Sequence, residues 1–444
     1  MSAPAPHIER LDRWPDLVAL HAHAPDRYPF LLESIAHGPP HARWDILFAF
    51  PGERLTGPGF LTALDDWWQR DRQPSLRDAR VPFCGGWFLF CAYELLTEIE
   101  PTVAAPCDSA DPLPMAAAVR VPVAVLRDRH ERTAWLVAES GHDDALAAVR
   151  ADLEAAAAQT PARGALTDGP LVEDDGGRYL DAVERTRRHV YDGDVFQANL
   201  SRAWRGRLRK DVTAFDCYRR LCVRNPAPFA GFMRWSEEVA VVSSSPERLV
   251  RVAGDRVETR PIAGTRGRGA DATADAALLD ELLAHPKERA EHVMLIDLER
   301  NDLGRISVPG SVVVDEMMTL ETYATVHHIV SNVCGTLTPG TTPGGVIRAT
   351  FPGGTITGCP KVRCMQIIAE LEREPRGAYT GSLGWLGHTG DMDLNILIRT
   401  LTVRGRALEL RAGAGIVADS VPERELDETR AKAAGLLRAL AADD

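Results

Sequence analysis

The sequence has no long hydrophobic run. No stretch of its 444 residues approaches the roughly 20 consecutive apolar residues that span a bilayer. Its first residues, MSAPAPHIERLDRWPDL, also lack the basic start and apolar stretch of a secretion signal. We therefore expect no membrane contact and a cytoplasmic location.

Basic charge is scarce as well. Lysine and arginine number 51 against 63 aspartates and glutamates, and the net charge is −12. No basic stripe with interleaved aromatic residues is present, so we expect no nucleic-acid partner. Eight cysteines are scattered without a CxxC pair, which argues against a zinc site and against a disulfide scaffold.

Three common catalytic motifs are missing. There is no GxSxG nucleophile elbow. The glycines of GTRGRG (264–269) have the wrong spacing for a dinucleotide fingerprint. FPGGTITGCPK (351–361) is not a P-loop, because no Ser or Thr follows Lys361. It does place a glycine-rich loop before a helix predicted to begin near Pro360, where backbone N–H groups favour an anion.

The chain has one candidate boundary. An alanine-rich helical end runs into a Pro/Gly/Thr stretch at residues 151–170, which separates an amino-terminal segment, 1–165, from a motif-rich domain, 170–444. EVAVVSSS, ERLVRVAG and DRVETRPI are predicted to form successive antiparallel strands, and LNILIRTLTV to pair with RALELRAGAGIV across Arg404-Gly405. Helices lie between these groups, which favours an α+β fold over a doubly wound one.

KERAEHVMLIDLERND, from Lys287, has helical periodicity and is preceded by Pro286, a residue typical of helix starts. Glu288 and Glu291 are neighbours on one face, which continues through leucines 295 and 298. Carboxylates on a buried face need a partner or a metal ion. An ExxE pair alone is more often a solvated face.

A second ExxE pair lies in DSVPERELDETRAKAAGLL, where Ser420 and Glu423 have the spacing of a capping box. Glu425, Glu428 and Lys432 follow along one face. Taken alone, this is an ordinary charged helix. Together the two helices could hold a hard cation through oxygen ligands, and few carboxylates completed by water and an anionic substrate are typical of magnesium.

Two further motifs can each be interpreted either as part of a site or as purely structural. The glycines of AGAGIV, Gly413 and Gly415, permit close approach of a ligand to the strand or mark a bulge at a sheet edge. His327 and His328 could act as a base or ligand, although a structural histidine is the commoner case.

In this order, the segments GDVFQANLSR, SSSPERLV, RPIAGTR, KERAEHVMLIDLERNDLGRI, VHHIVS, FPGGTITGCPK, LNILIRT, AGAGIVADS and ERELDETRAK resemble the chorismate-utilising family of anthranilate, aminodeoxychorismate, isochorismate and salicylate synthases. The resemblance is dense over residues ~190–440, far beyond a lone motif. It implies two antiparallel sheets packed as a sandwich with helices outside.

The resemblance also implies roles for individual residues. Glu291 and Glu428 would bind Mg²⁺, with Glu288 and Glu425 supporting them. Glu247 would be the general acid that protonates the departing 4-hydroxyl. The expected carboxylate-binding residues are Arg399, Lys432, Tyr379, Gly413 and Gly415. Gly264 and Thr265 would line the ring, and His328 and Thr355 would lie near the hydroxyl and the enolpyruvyl group.

Gln197 in FQANLSR bears on the choice of nucleophile. Family members that add water carry a lysine at this position, consistent with a base that activates water. Glutamine cannot be that base, so ammonia is the expected nucleophile. Ammonia-using members receive it from a glutamine amidotransferase subunit, and we expect such a partner here. Intact acid, metal and carboxylate positions argue against an inactive chorismate-binding relative.

The ammonia-using branches differ in product. ARWDILFAFP and PFCGGWFLFCAYELLTEIEP resemble component I of aminodeoxychorismate synthases, and this is the favoured branch; anthranilate synthase component I is the alternative. Ala263 fits the alternative, because some aminodeoxychorismate synthases carry there a lysine proposed to form a covalent ring adduct. With alanine, ammonia must add directly.

A further resemblance concerns a tryptophan pocket. LLES (31–34) and NPAPF (225–229) are similar to the segments that form it in anthranilate synthase. A tryptophan-like site and simple core packing between the two segments are equally compatible with the sequence. The predicted lining residues are Leu32, Glu33, Ser34, Asn225, Pro226 and Phe229.

Overall fold

Two antiparallel sheets form the centre of the protein in a computed structural model that describes residues 5–36, 42–74, 76–158, 160–269, 271–322 and 326–442. The side chains at positions 265, 272, 287 and 326 lie outside that description. Eleven α-helices accompany the sheets in the described ranges. The predicted α+β fold is confirmed.

The strands are, in chain order, β1 His7–Leu11, β2 Phe30–Glu33, β3 Trp44–Ala49, β4 Arg54–Thr56, β5 Gly86–Cys91, β6 Ala116–Val121, β7 Val123–Asp128, β8 Thr133–Ala138, β9 Val172–Glu173, β10 Gln197–Arg207, β11 Phe229–Arg234, β12 Val239–Ser245, β13 Arg248–Ala253, β14 Arg256–Thr259, β15 Ile262–Gly267, β16 Val313–Thr322, β17 Val326–Thr336, β18 Gly358–Cys359, β19 Ser382–Gly387, β20 Met392–Asn395, β21 Thr400–Arg404 and β22 Ala407–Ile416.

The helices are α1 Leu17–His23, α2 Phe60–Asp71, α3 Leu96–Ile99, α4 Asp143–Ala155, α5 Gly176–Tyr191, α6 Ala214–Arg224, α7 Ala272–Ala284, α8 Pro286–Gly304, α9 Pro343–Thr350, α10 Lys361–Glu372 and α11 Pro422–Leu440, with short 3-10 turns at Tyr93–Leu95 and Gly354–Ile356. None of the helices that the structure describes is both long and apolar enough to cross a membrane.

The first sheet has twelve strands, in the order β1-β8-β7-β3-β2-β11-β12-β21-β22-β10-β18, with β9 beside β10. The second has ten, in the order β15-β17-β14-β13-β20-β19-β5-β6-β4, with β16 beside β17. The boundary at residues 151–170 stays a prediction. Strands from both sides of it share each sheet, since β2 pairs with β11 and β5 with β19.

Aromatic side chains hold the sheets together. Phe30 of β2 and Phe88 of β5 are fully buried and stack with ring centroids 4.1 Å apart. Burial of such a side chain stabilises the fold by about 1.5–3 kcal/mol. Helices α1, α4, α6 and α11 cover the outer face of the first sheet, and α2, α8 and α9 that of the second. This is the predicted sandwich with helices outside.

The hairpin of β13 and β14 turns at Gly254-Asp255, as predicted, and β21 pairs with β22. The predicted pairing of EVAVVSSS with ERLVRVAG is wrong, because β12 lies in the first sheet and β13 in the second. The continuous strand LNILIRTLTV is wrong for the same reason, since β20 and β21 belong to different sheets. Pro246 lacks a backbone donor and Arg399 has a φ of 52°, so neither position continues a ladder.

Candidate active site

The chain passes between the sheets at two adjoining places. Glu247 lies in the first crossing, between β12 and β13, and Arg399 in the second, between β20 and β21. The amide of Ile396 donates a 3.0 Å hydrogen bond to the carbonyl of Glu247 and so ties the crossings together. Two predicted site residues, 152 positions apart in the chain, thereby meet at one corner of the sandwich.

Glu247 is 5% exposed. The hydroxyl of Thr355, in the turn Gly354–Ile356, donates a 2.7 Å hydrogen bond to its Oε1. Burial raises the pKa of Glu247 to about 7, against the hydrogen bond and the charges of Arg399 and Lys432, which lower it. A carboxyl that holds its proton near neutral pH has the property that a general acid requires.

The guanidinium of Arg399 forms no hydrogen bond or ion pair with any residue that the structure describes. It is close enough to Tyr379, Glu247 and Glu428 for their charges to act on its pKa, which burial lowers. A partly buried cation without a fixed partner is costly unless a ligand supplies the anion. The geometry fits a carboxylate of a bound molecule.

Strands β10 and β22 pair in an antiparallel ladder whose two glycines, Gly413 and Gly415, have side chains close above them. A Cβ added at Gly413 would lie 2.9 Å from the Tyr379 hydroxyl, and one at Gly415 would lie 2.5 Å from Nε2 of Gln197. Lys432 of α11 donates a 3.0 Å hydrogen bond to the carbonyl of Gly413. Tyr379 and Lys432 therefore approach the strand at Gly413 and Gln197 approaches it at Gly415, and a larger residue at either glycine would not fit.

A second group lies on β15, β17 and α8. Nδ1 of His328 is 3.3 Å from the carbonyl of Gly264, and burial lowers the pKa of His328 to about 4, so it is neutral at physiological pH. Gly264 has a φ of 68°, and an added Cβ would lie 3.0 Å from Oε2 of Glu288. The backbone of Thr265 pairs with His328, while its side chain lies outside the described residues.

The helix that carries Glu288 and Glu291 begins at Pro286, as predicted, and Leu295 and Leu298 on the same face are buried. Both glutamates are half-buried. Glu288 forms a 3.1 Å ion pair with Arg266.

On α11, Glu425 is buried, while Glu428 is exposed and forms a 2.7 Å ion pair with Lys432. The predicted capping box is wrong. Val421 precedes the helix as its N-cap, and the Ser420 hydroxyl instead accepts the amide of Val417 in the preceding turn.

The four glutamates have the donor chemistry of a magnesium site, since all are hard oxygen ligands on two helices. Within the described ranges, no three His, Cys, Asp or Glu side chains are grouped to hold one metal ion. Magnesium usually takes only one or two carboxylates and completes its shell with water and substrate oxygens. The magnesium assignment stays a prediction.

The glycine-rich loop leads into α10 at Lys361, with Pro360 as the N-cap, as predicted. The Lys361 ammonium is not available to bind an anion at this loop, because it forms an ion pair with the buried carboxylate of Asp302. The loop instead presents Thr355 to Glu247.

The predicted tryptophan-like residues divide between two places. Leu32, Glu33, Ser34 and Phe229 line a cavity of about 790 Å³ between the sheets. Asn225 and Pro226 are not among its lining residues, and the Asn225 amide donates to Ser244 under α11 instead. A tryptophan-like site stays a prediction for Leu32, Glu33, Ser34 and Phe229.

Two residues near the sheet crossings, Arg376 and Asn199, were not predicted from the sequence. Arg376, 3% exposed, donates to the carbonyls of Ile356 and Asn199 and is held by both oxygens of Glu372. No sequence signal marked it. Asn199 could have been found, because it follows Gln197 by two positions on a strand and so faces the same side.

Several known proteins are similar to this chain. A sequence model described as chorismate binding enzyme matches residues 57–438. Anthranilate synthase component 1 of Thermus thermophilus is 41% identical over 411 residues, which cover 89% of this chain and 86% of that one. Aminodeoxychorismate synthase component 1 of Bacillus subtilis is 48% identical over 271 residues, 61% of this chain and 56% of that one.

Among solved structures, anthranilate synthase component I of Streptococcus pneumoniae superimposes with a TM-score of 0.79 at 31% identity, covering 90% of this chain and 93% of that one. The matched residues 57–438 contain both sheet crossings, the two glycines of β22 and the helices α8 and α11 up to Arg438. The chain belongs to the chorismate-binding enzyme family.

Proposed function

We propose that the protein is component I of an aminodeoxychorismate synthase, converting chorismate and ammonia to 4-amino-4-deoxychorismate for p-aminobenzoate and folate synthesis. The observation that carries the proposal is the pair of residues at the corner where the chain crosses between the sheets. A protonatable carboxyl, Glu247, lies within electrostatic reach of a guanidinium, Arg399, that has no partner among the described residues. An acid beside an anion site suits a dicarboxylate with a leaving hydroxyl.

In this proposal Arg399 binds one substrate carboxylate through its planar fork. The Tyr379 hydroxyl, Lys432 and the backbone at Gly413 and Gly415 complete the carboxylate contacts. Glu247, held by Thr355, gives its proton to the 4-hydroxyl, which leaves as water. Neutral His328 lies beside Gly264 near the substrate ring. The positive charge that binds the substrate carboxylate therefore comes from Arg399 and not from His328.

Gln197 supports ammonia over water as the nucleophile. Its amide lies over Gly415 and has no basic nitrogen with which to deprotonate water. Neutral ammonia needs no base before it attacks. As the resemblance to the ammonia-using family members implies, the proposal includes a glutamine-hydrolysing subunit as the ammonia source.

Magnesium is part of the proposal. Glu291 and Glu428 would hold the ion directly, with Glu288 and Glu425 behind them, and the bound ion would neutralise the ring carboxylate of chorismate. In Glu428→Gln we expect the magnesium concentration for half-maximal activity to rise at least 10–100-fold, the range seen for residues around metal ligands.

Glu423→Gln, an exposed carboxylate on the same helix, is the matched control and should leave the magnesium titration unchanged. Superimposed titrations of the Glu428→Gln variant and wild type would remove Glu428 from the metal site.

Anthranilate formation is the second candidate, and Ala263 favours it. Ala263 lies on β15 opposite Ile329, and its methyl group offers no amine for a covalent ring adduct. Ammonia would then add directly to the ring, and loss of pyruvate would give anthranilate.

Incubation of the purified chain with chorismate, Mg²⁺ and ammonium salt separates these functions. We expect p-aminobenzoate to form only after an aminodeoxychorismate lyase is added. Anthranilate fluorescence with released pyruvate would establish the second candidate instead. Chorismate recovered unchanged at every ammonium concentration would exclude both and leave a binding protein.

A further inference from the structure

One polar atom at the corner has no role in the proposed chemistry. The side-chain oxygen Oδ1 of Asn199 is buried and has no hydrogen-bond partner among the described residues. The backbone around it is fully engaged, since the Asn199 amide donates to Thr357 and its carbonyl accepts from Arg376. The backbone that carries the side chain is therefore held in place, while Oδ1 has no donor among the described residues.

The position of this oxygen follows from strand geometry. Side chains two positions apart on a strand share a face, so Asn199 and Gln197 point to the same side of β10. That side meets the two glycines of β22. A Cβ at Gly413 would lie 2.8 Å from Oδ1 of Asn199 and 2.9 Å from the Tyr379 hydroxyl. The unsatisfied oxygen thus lies on the same side of Gly413 as the Tyr379 hydroxyl, and the Asn199 backbone is bonded to Thr357, two positions from the Thr355 that holds Glu247.

A buried acceptor without a partner carries an unrecovered cost in desolvation free energy. A ligand that donates a hydrogen bond there would recover this energy. The carboxylates of chorismate cannot, because they only accept. Ammonia can, since it has three N–H groups and one lone pair. Contact through an N–H leaves the lone pair available for attack. The positive charge of Lys432, which donates to the carbonyl of Gly413, disfavours an ammonium ion there.

We propose that Asn199 forms the ammonia subsite, with its side-chain oxygen accepting one N–H and the Gln197 amide completing the contact. This inference rests on the proposed function. In the step itself, the nitrogen lone pair forms the new bond to the ring, the C–O bond to the 4-hydroxyl breaks, and Glu247 supplies the proton that makes the hydroxyl leave as water. The new ammonium group returns a proton to Glu247, so that chorismate and ammonia give aminated product and water.

The test is steady-state kinetics with ammonium salt as the nitrogen source, with the amidotransferase left out. Asn199→Leu removes the acceptor at nearly constant size. We expect its KM for ammonia to rise about 10-fold, while its KM for chorismate and its thermal unfolding temperature stay within experimental error of wild type. Asn199→Asp keeps an acceptor at the same place and should restore the ammonia KM to within about 3-fold of wild type.

An unchanged ammonia KM in Asn199→Leu would overturn the subsite, and so would a parallel rise in both KM values, which indicates a structural role. If Asn199→Leu does not fold, an ammonia KM in Asn199→Asp more than 10-fold above wild type would also overturn it. Wild-type enzyme that releases no aminated product would refute the proposed function itself, whereas normal amination with an unchanged Asn199→Leu refutes only the subsite.

Discussion

Two spaces lie between the sheets, and they differ in how their arginines are paired. The cavity of about 790 Å³ is lined by Arg43, Arg77, Arg248 and Arg251, and each of these has its own carboxylate, at 2.6 to 3.0 Å. At the corner formed by the sheet crossings, Arg399 has no partner among the described residues. The arginines of the cavity are therefore already paired, while Arg399 has no ion-pair partner among the described residues.

The pairing of buried charges is therefore our criterion for the expected ligand site, in preference to the size of a cavity. A guanidinium that is already neutralised gains little from a second carboxylate and loses its own pair if the ligand displaces it. An unpaired one gains the full charge-assisted contact. We therefore expect chorismate at the corner and not in the cavity.

Removal of the acid at the corner should have the largest effect. In Glu247→Gln we expect kcat to fall about 10²–10⁴-fold, the usual contribution of a general acid, with chorismate binding retained because the amide keeps the shape. Stopped assays of product and calorimetric titration with chorismate measure the two quantities.

The pH dependence checks the same residue. Burial raises the pKa of Glu247 to about 7, and the protonated form is the active one. Wild-type kcat, referred to neutral ammonia, should be constant at lower pH and fall as pH rises through about 7. A variant with normal turnover, or a profile without this alkaline limb, would contradict the role of Glu247.

Paired substitutions test the comparison directly. Lysine keeps the charge of Arg399 but loses its two-pronged contact, so Arg399→Lys should raise the chorismate KM about 10–100-fold, as expected for a lost hydrogen bond to a charged group. Arg251→Lys, in the cavity, is the control and should leave KM within about twofold. Equal effects in both variants would show that pairing does not distinguish the two spaces.

The smallest expected effect is the binding of tryptophan in the cavity between the sheets. The volume of this cavity lies within the range of small-molecule pockets, and its paired charges suit a zwitterion better than a dicarboxylate. We expect calorimetry at millimolar tryptophan to give measurable heat, equally in wild type and Glu247→Gln. Absence of heat together with unchanged activity would leave core packing as the function of the cavity-lining residues, Leu32, Glu33, Ser34 and Phe229.

Local features were predictable from the sequence. The helix starting at Pro286 and the hairpin at Gly254-Asp255 depend on residues close in the chain, and both are as expected. The capping box at Ser420 failed because Val417, outside the predicted pair, provides the donor that Ser420 accepts. Asn225 was grouped with the cavity by resemblance, but packing against Ser244 takes it elsewhere.

The α+β fold class was predictable from the strand and helix patterns, and the family and the candidate acid from the resemblance of short segments to a known family, because such patterns and motifs are local in the chain. That β12 and β13, predicted to pair, belong to opposite sheets is visible only in three dimensions. The crossing that separates them brings Glu247 within electrostatic reach of Arg399. Burial and the pairing of charges arise from residues distant in the chain, so neither the raised pKa of Glu247 nor the lack of a partner for Arg399 among the described residues could be read from the sequence.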